Sequence, residues 1–206
     1  MGYRALLFIV LMLGQGAVFA GAGRDALDGF LDGLTTLQAK FEQSVLDTEN
    51  ATTGRMYGLF LLERPGHFRW DYVAPTKQVI LADGRDVWII EEELNQVTRH
   101  LQKWALKGTP AAFLTKDESV DKDFEVVEIG ERLGMQWIEL IPRDGDSDLI
   151  RVLLAFDGKQ LKHMELNDKF GQISRFTFSD IQRNQPIDPE LFVYQGRDDW
   201  DVLNVD

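Results

Sequence analysis

Phe68-Arg69-Trp70-Asp71-Tyr72 places an aromatic ring at every second position and a charged residue between each pair. A repeat of two marks an extended strand with one apolar face. Pro65 stands just before it and has no N–H to give to a sheet ladder, so it marks a break between strands. Gly66 follows, as a tight connection needs. The stretch from Leu61 to Pro75, LLERPGHFRWDYVAP, therefore reads as a hairpin whose second strand shows three rings to one side. Such a wall suits either ordinary core or the lining of a cavity for something apolar.

Further strands follow from the same pattern and from turn residues. Leu37 to Val45, Thr53 to Glu63, Gly66 to Val73, Lys77 to Ala82, Asp86 to Ile90 and Gln96 to Leu101 form a first group. Phe124 to Ile129, Met135 to Ile141, Leu149 to Phe156, Gln160 to Asn167 and Gln172 to Ile181 form a second. Asp83-Gly84 and Asp157-Gly158 are strong two-residue hairpin turns, and Asp168 to Gly171 is another turn. The succession of hairpins implies an antiparallel meander. A single sheet of about eleven strands must curl strongly. The fold class is mainly β with α: one antiparallel sheet curled into an incomplete barrel, covered by short lid helices.

The helical signals are fewer. Leu27, Phe30, Leu31 and Leu34 recur at helix spacing, so a helix is predicted over Arg24 to Leu34, with Asp25 and Asp28 in its favourable first turn. Between the two groups of strands, Thr109-Pro110 is a helix opening, Thr as N-cap and Pro at the first helical position. Two short helices over Gln102 to Ser119 fit a lid across an open end of the curved sheet. Glu91-Glu92-Glu93 is read as a loop. Pro186 to Tyr194 is expected to pack back on the body, and 198–206 to form a mobile acidic tail.

Met1 to Ala20 reads as a secretory leader: Arg4, an apolar run from Ala5 to Leu13, then small residues. Cleavage after Ala20 or Ala22 satisfies the small-residue rule. Gly14-Gln15-Gly16 interrupts the run before it reaches the length of a membrane span. Residues 21–206 then form one domain, expected to be soluble and exported to the periplasm. Hydrophobic residues make up 44% of the 206, enough for a real core. The formal charge is −12, which opposes binding to nucleic acid phosphates. With no cysteine, the chain has no disulfide, no thiolate metal site and no N-terminal lipid anchor.

Nothing in the residues asks for catalysis. His67, His100 and His163 do not pair at metal-ligand spacing, and no G-x-S-x-G elbow or phosphate-binding glycine loop occurs. Catalytic residues, metal and cofactor are therefore expected to be absent. Carboxylates are plentiful, 34 in all, so a pair at glycosidase separation is not a distinguishing feature. The large apolar side chains Phe41, Phe60, Phe68, Trp70, Tyr72, Trp88, Trp104 and Phe113 crowd the first half of the chain. They read either as core or as the wall of a cavity for acyl chains.

Gly58-Leu59-Phe60-Leu61, Arg64-Pro65, Phe68-Arg69-Trp70, Pro75, Asp83-Gly84, Val87-Trp88 and Gln96-Val97-Thr98 stand in the order and approximate spacing of a known family. The chain here resembles the LolA family, periplasmic carriers of outer-membrane lipoproteins. The resemblance runs to about Thr115 and returns near Phe192. It implies a chaperone that takes triacylated lipoproteins from an inner-membrane LolCDE-type ABC transporter and hands them to an outer-membrane LolB-type acceptor, acting as a monomer. LolB shares the fold but is itself a lipoprotein, so the missing cysteine favours LolA. The resemblance places Phe68, Trp70, Trp88, Trp104, Phe113 and Leu114 near the cavity or lid. It gives Arg64 the role of a latch that holds the empty carrier closed. An unassisted reading of Arg64 is a surface arginine paired with an acid. Two other functions fit the class: a periplasmic lipid-sensing regulator, and an exported hydrolase.

Overall fold

Tight turns organise the sheet. Asp83 Oδ1 accepts from the backbone N–H of Arg85 at 2.9 Å and of Asp86 at 2.8 Å, which folds the chain back on itself. Gly84 takes φ +90° and Gly158 φ +58°, the left-handed region that such turns use. The computed structural model describes residues 21–49, 51–107, 109–116, 118–197 and 199–205. The leader read over Met1 to Ala20 lies outside the described residues.

After helix α1 (Ala22–Leu31) come β1 (Thr36–Leu46), β2 (Thr52–Glu63), β3 (His67–Ala74), β4 (Gln78–Asp83), β5 (Asp86–Glu91) and β6 (Gln96–Leu101). Two short helices follow, α2 (Gln102–Ala105) and α3 (Pro110–Thr115). The chain then runs through β7 (Phe124–Arg132), β8 (Met135–Pro142), β9 (Leu149–Asp157), β10 (Gln160–Asp168) and β11 (Ile173–Arg183), and ends in β12 (Asp201–Val205). Glu92–Leu94, Val120–Lys122 and Pro189–Phe192 are single 3-10 turns.

All strands join one 12-stranded sheet in the order β12-β6-β5-β4-β3-β2-β1-β11-β10-β9-β8-β7. Every pair is antiparallel except β12 on β6. The sheet is open, with β12 and β7 as its edges. It has one strand more than the sequence implies. The addition is β12, which replaces part of the expected tail: Asp201 to Val205 pair with Gln96 to His100.

The predicted helix over Arg24 to Leu34 is shifted toward the N-terminus. Asp32 turns extended and Gly33 takes φ +60°, so Leu34 is buried outside the helix. At the other end Gly21 offers no capping side chain. Glu128 on β7 supplies the cap, accepting from the N–H of Gly23 at 3.1 Å and of Arg24 at 2.7 Å. A Cβ on Gly23 would fall 2.7 Å from that carboxylate and 3.0 Å from the backbone oxygen of Trp137, so glycine allows the close approach of α1 to β7 and β8. The Arg24 guanidinium binds Asp121 through two 2.7 Å bonds and holds its carboxyl down at about 2.

One apolar layer lies between the sheet and the helices. Leu27 and Phe30 of α1 pack with Ile138, Leu154 and Phe156 of β8 and β9. Phe113 and Leu114 of α3 join the same core. Phe192 is 2% exposed against His67, so the segment after β11 does pack back on the body. Gly58 lets Phe41 cross the sheet, because a Cβ there would meet the Phe41 ring at 2.6 Å.

Candidate functional site

Between the inner face of β2–β6 and the two lid helices lies a cavity of about 400 Å³. Strand parity builds its walls. Phe68, Trp70 and Tyr72 point inward from β3, beside Phe60 of β2, Ile80 of β4 and Val87 and Ile89 of β5. Met164, Leu166 and Phe176 close the far wall from β10 and β11. Leu106, Ala111 and Leu114 form the roof.

Trp70 is the hub of the wall. Its ring centroid lies 4.6 Å from Phe60, 5.1 Å from Phe176 and 5.2 Å from Phe41, in tilted or edge-on contacts that aromatic rings prefer. Three polar side chains of the lining are hydrogen-bonded into the protein. Tyr72 donates its hydroxyl to Gln43 Oε1 at 2.8 Å, and burial pushes its phenol up to about 12. Thr109 and Thr115 donate to the carbonyls of Leu106 and Ala111 at 2.8 and 2.6 Å. Thr109 thus starts α3 without the side-chain cap that its position promised. Among the described residues no lining side chain is a carboxylate. Among the described residues no group of three acidic or histidine side chains gathers to hold a metal.

The lid is fastened from below. Arg64 Nε donates to the carbonyl of Leu114 at 2.7 Å and Nη2 to that of Phe113 at 3.2 Å. Nη1 lies 3.5 Å from the carbonyl of Leu31, at the end of α1. These carbonyls sit in the last turn of their helices, where no intrahelical N–H reaches them. Next to it, the Gly66 N–H donates to Thr115 O at 2.9 Å. One planar guanidinium thus ties the ends of α1 and α3 to the start of the β3 hairpin.

A family model described as outer membrane lipoprotein carrier protein LolA matches residues 32–195. The chain belongs to the LolA family. A relative from Nitrosospira multiformis named outer-membrane lipoprotein carrier protein is 36% identical over 183 residues, covering 88% of each chain. One of the same name from Methylococcus capsulatus is 38% identical over 177 residues, covering 86% of this chain and 85% of its own. In shape, an uncharacterised conserved protein from Thermus thermophilus superposes with a TM-score of 0.53 at 14% identity, covering 89% of this chain and 97% of its own. That last likeness concerns the fold alone.

In this LolA-family chain, of the six residues expected near the cavity or lid, Phe68, Trp70 and Leu114 line the cavity, and Trp104 and Phe113 lie on the lid helices without lining it. Trp88 lies on neither. Trp88 is on the outer face of β5, stacked 4.5 Å from Tyr194 with its Nε1 donating to Asp83 at 2.8 Å. Alternation requires this, because its neighbours Val87 and Ile89 take the inner face. Trp104 is 60% exposed on the outside of the lid. Phe113 belongs to the lid but faces Phe124 of β7 edge-on at 5.7 Å, away from the cavity. Tyr72 and Phe60, which read from the sequence as core or cavity wall, line the cavity, as do Met164, Leu166 and Phe176, which the sequence reading did not point to. The alternation Met164, Leu166 and Phe176, Phe178 was the signal available, read in phase with the buried neighbours.

Proposed function

We propose that this chain is a periplasmic chaperone that carries the acyl chains of lipoproteins between membranes. The observation that carries this reading is the apolar cavity beneath a lid whose backbone carbonyls are held by Arg64. Each buried methylene is worth about 0.8 kcal/mol, so a lipoprotein with several chains needs an escort through water. The lid helices roof the cavity, so a lid that moves to admit acyl chains breaks the Arg64 bonds. Re-forming those bonds favours ejection, which keeps the complex reversible.

The cargo in this reading is a triacylated lipoprotein, received from a LolCDE-type ABC transporter and passed to a LolB-type acceptor, with the carrier acting as a monomer. Among the described residues no helix is long and apolar enough to cross a membrane. Export through the leader over Met1 to Ala20 would deliver the chain to the periplasm.

The test adds the purified chain, Gly21 onward, to spheroplasts that make a radiolabelled outer-membrane lipoprotein. Soluble lipoprotein in a complex with the added protein is the expected result. Failure of the folded protein to release any, with the transporter of its own organism present, would reject the carrier reading.

A further inference from the structure

A second concavity, of about 720 Å³, lies on the outside of the lid, between α2 and the turns that follow Arg64 and Asp83. Its frame is fixed by the buried side chain of Gln102. Gln102 Nε2 donates to Gly66 O at 2.7 Å, and its Oε1 accepts from Gly84 N at 3.0 Å. α2 is thereby stitched to both hairpin turns. Gly66 is the residue that also donates to Thr115 at the end of α3. Anything seated in the groove touches both lid helices and the turn that carries Arg64.

The groove is basic in an acidic protein. The chain has a formal charge of −12, yet Arg85, Lys103, Lys107 and Lys116 line this concavity against Glu118 and Asp123. Part of that charge is already answered. Lys107 pairs with Asp144 at 3.1 Å, Lys116 with Asp123 at 3.5 Å, and Glu118 with Lys122 at 2.8 Å. Arg85 reaches Asp86 at only 3.7 Å, and Arg99 holds that carboxylate more closely at 2.9 Å. Lys103 lies over the ring of Trp104, 4.9 Å from its centroid. Trp104 is 60% exposed beside the groove. Among the described residues Arg85 and Lys103 are thus the least compensated cations of the groove, and arginine and an open tryptophan are residue types enriched where partners bind.

We propose that this groove docks an acidic segment of a partner protein, its carboxylates meeting Arg85 and Lys103 and an apolar side chain resting on Trp104. Charge complementarity selects the sign of the partner. Concavity selects a peptide over a bilayer, because a flat anionic surface would meet the field of the whole acidic protein before it reached the groove floor. The proposal does not depend on what fills the cavity.

The test titrates the labelled chain, Gly21 onward, with a short synthetic peptide in which a phenylalanine is flanked by aspartates and glutamates. Backbone NMR shifts report the contact. A basic peptide of the same length and phosphatidylglycerol vesicles are the comparisons. Saturable shifts confined to Arg85, to Gln102–Lys107 and to Lys116, weakened by added salt, are expected. Lys103→Glu lowers the affinity by about tenfold or more, whereas Lys103→Arg stays within about twofold. Arg85→Glu repeats the loss at a second exposed position. Absence of shifts, shifts elsewhere, an equal response to the basic peptide, or a response to the vesicles alone overturns the proposal.

Discussion

Arg64 Nε lies 2.7 Å from the carbonyl oxygen of Leu114, a contact that joins the β3 hairpin to the end of the lid helix 50 residues later. A charge-assisted bond of this kind is worth about 1.5–3 kcal/mol. Arg64→Leu removes it together with the Phe113 bond, and α3 keeps only the Gly66–Thr115 backbone bond to the hairpin while the sheet beneath stays intact. Amide exchange over Ala112 to Thr115 is expected to quicken by about tenfold or more, with the strands unaffected. In a transfer assay the same variant accepts lipoprotein and hands it on poorly. Unchanged exchange in α3, or normal transfer, would reject the latch.

Trp70 and Trp88 make a matched pair for testing which aromatic faces matter. Trp70→Ala empties the hub of the ring cluster and is expected to cost about 3–5 kcal/mol in urea unfolding. It also weakens binding of a fluorescent fatty acid. Trp88→Ala removes a ring from the outer face and leaves that binding unchanged. Equal effects of the two variants on fatty-acid binding would put the ligand somewhere other than this cavity.

The phenol of Tyr72 gives the protein an alkaline signature. Burial raises its pKa to about 12 from the ordinary 10.0, so the folded chain holds this proton more tightly than the unfolded chain does. The associated stability is intact below pH 10 and lost as pH rises toward 12. Ultraviolet titration of the chain and of Tyr72→Phe is expected to show the Tyr72 phenol ionising late, with unfolding free energy falling over the same interval. Tyr72→Phe abolishes the late step. It also leaves Gln43 Oε1 without its donor, at a cost of about 1 kcal/mol. A Tyr72 phenol that ionises near pH 10 would contradict the burial of this ring.

The exported chain is expected to begin at Gly21. Asp25 N donates to Gly21 O at 2.8 Å, the first bond of α1. Cleavage after Ala22 would remove that bond and leave a new charged amine on Gly23 beside Glu128. Mass spectrometry of the secreted protein decides between the two sites.

Much of the sheet was legible because turns announce themselves chemically. Asp83-Gly84 and Asp157-Gly158 place two hairpins, and alternation fixes the faces of β3 without ambiguity. The lid was legible through Pro110. What failed were inferences from ring size. Trp88 is large, but Val87 and Ile89 had already claimed the inner face of its strand. Trp104 sits on a helix of four residues, too short for any period to show. β12 left no readable alternation because all five of its residues are exposed, so neither face of the strand is buried. The groove outside the lid was invisible for another reason: its cations come from three separate stretches that only the fold brings together.

The lid segment leaves the sheet at β6, one strand in from the β12 edge, and rejoins it at β7, the opposite edge. It is therefore a strap buckled near both rims and cannot swing free like a door on one hinge. Any movement that makes room beneath it must lengthen the strap from its own turns or draw the two rims together or apart. The capacity of the vessel is thus set by the width of its seam as much as by the height of its roof. A cross-link between the rims would limit loading without touching a single residue of the cavity.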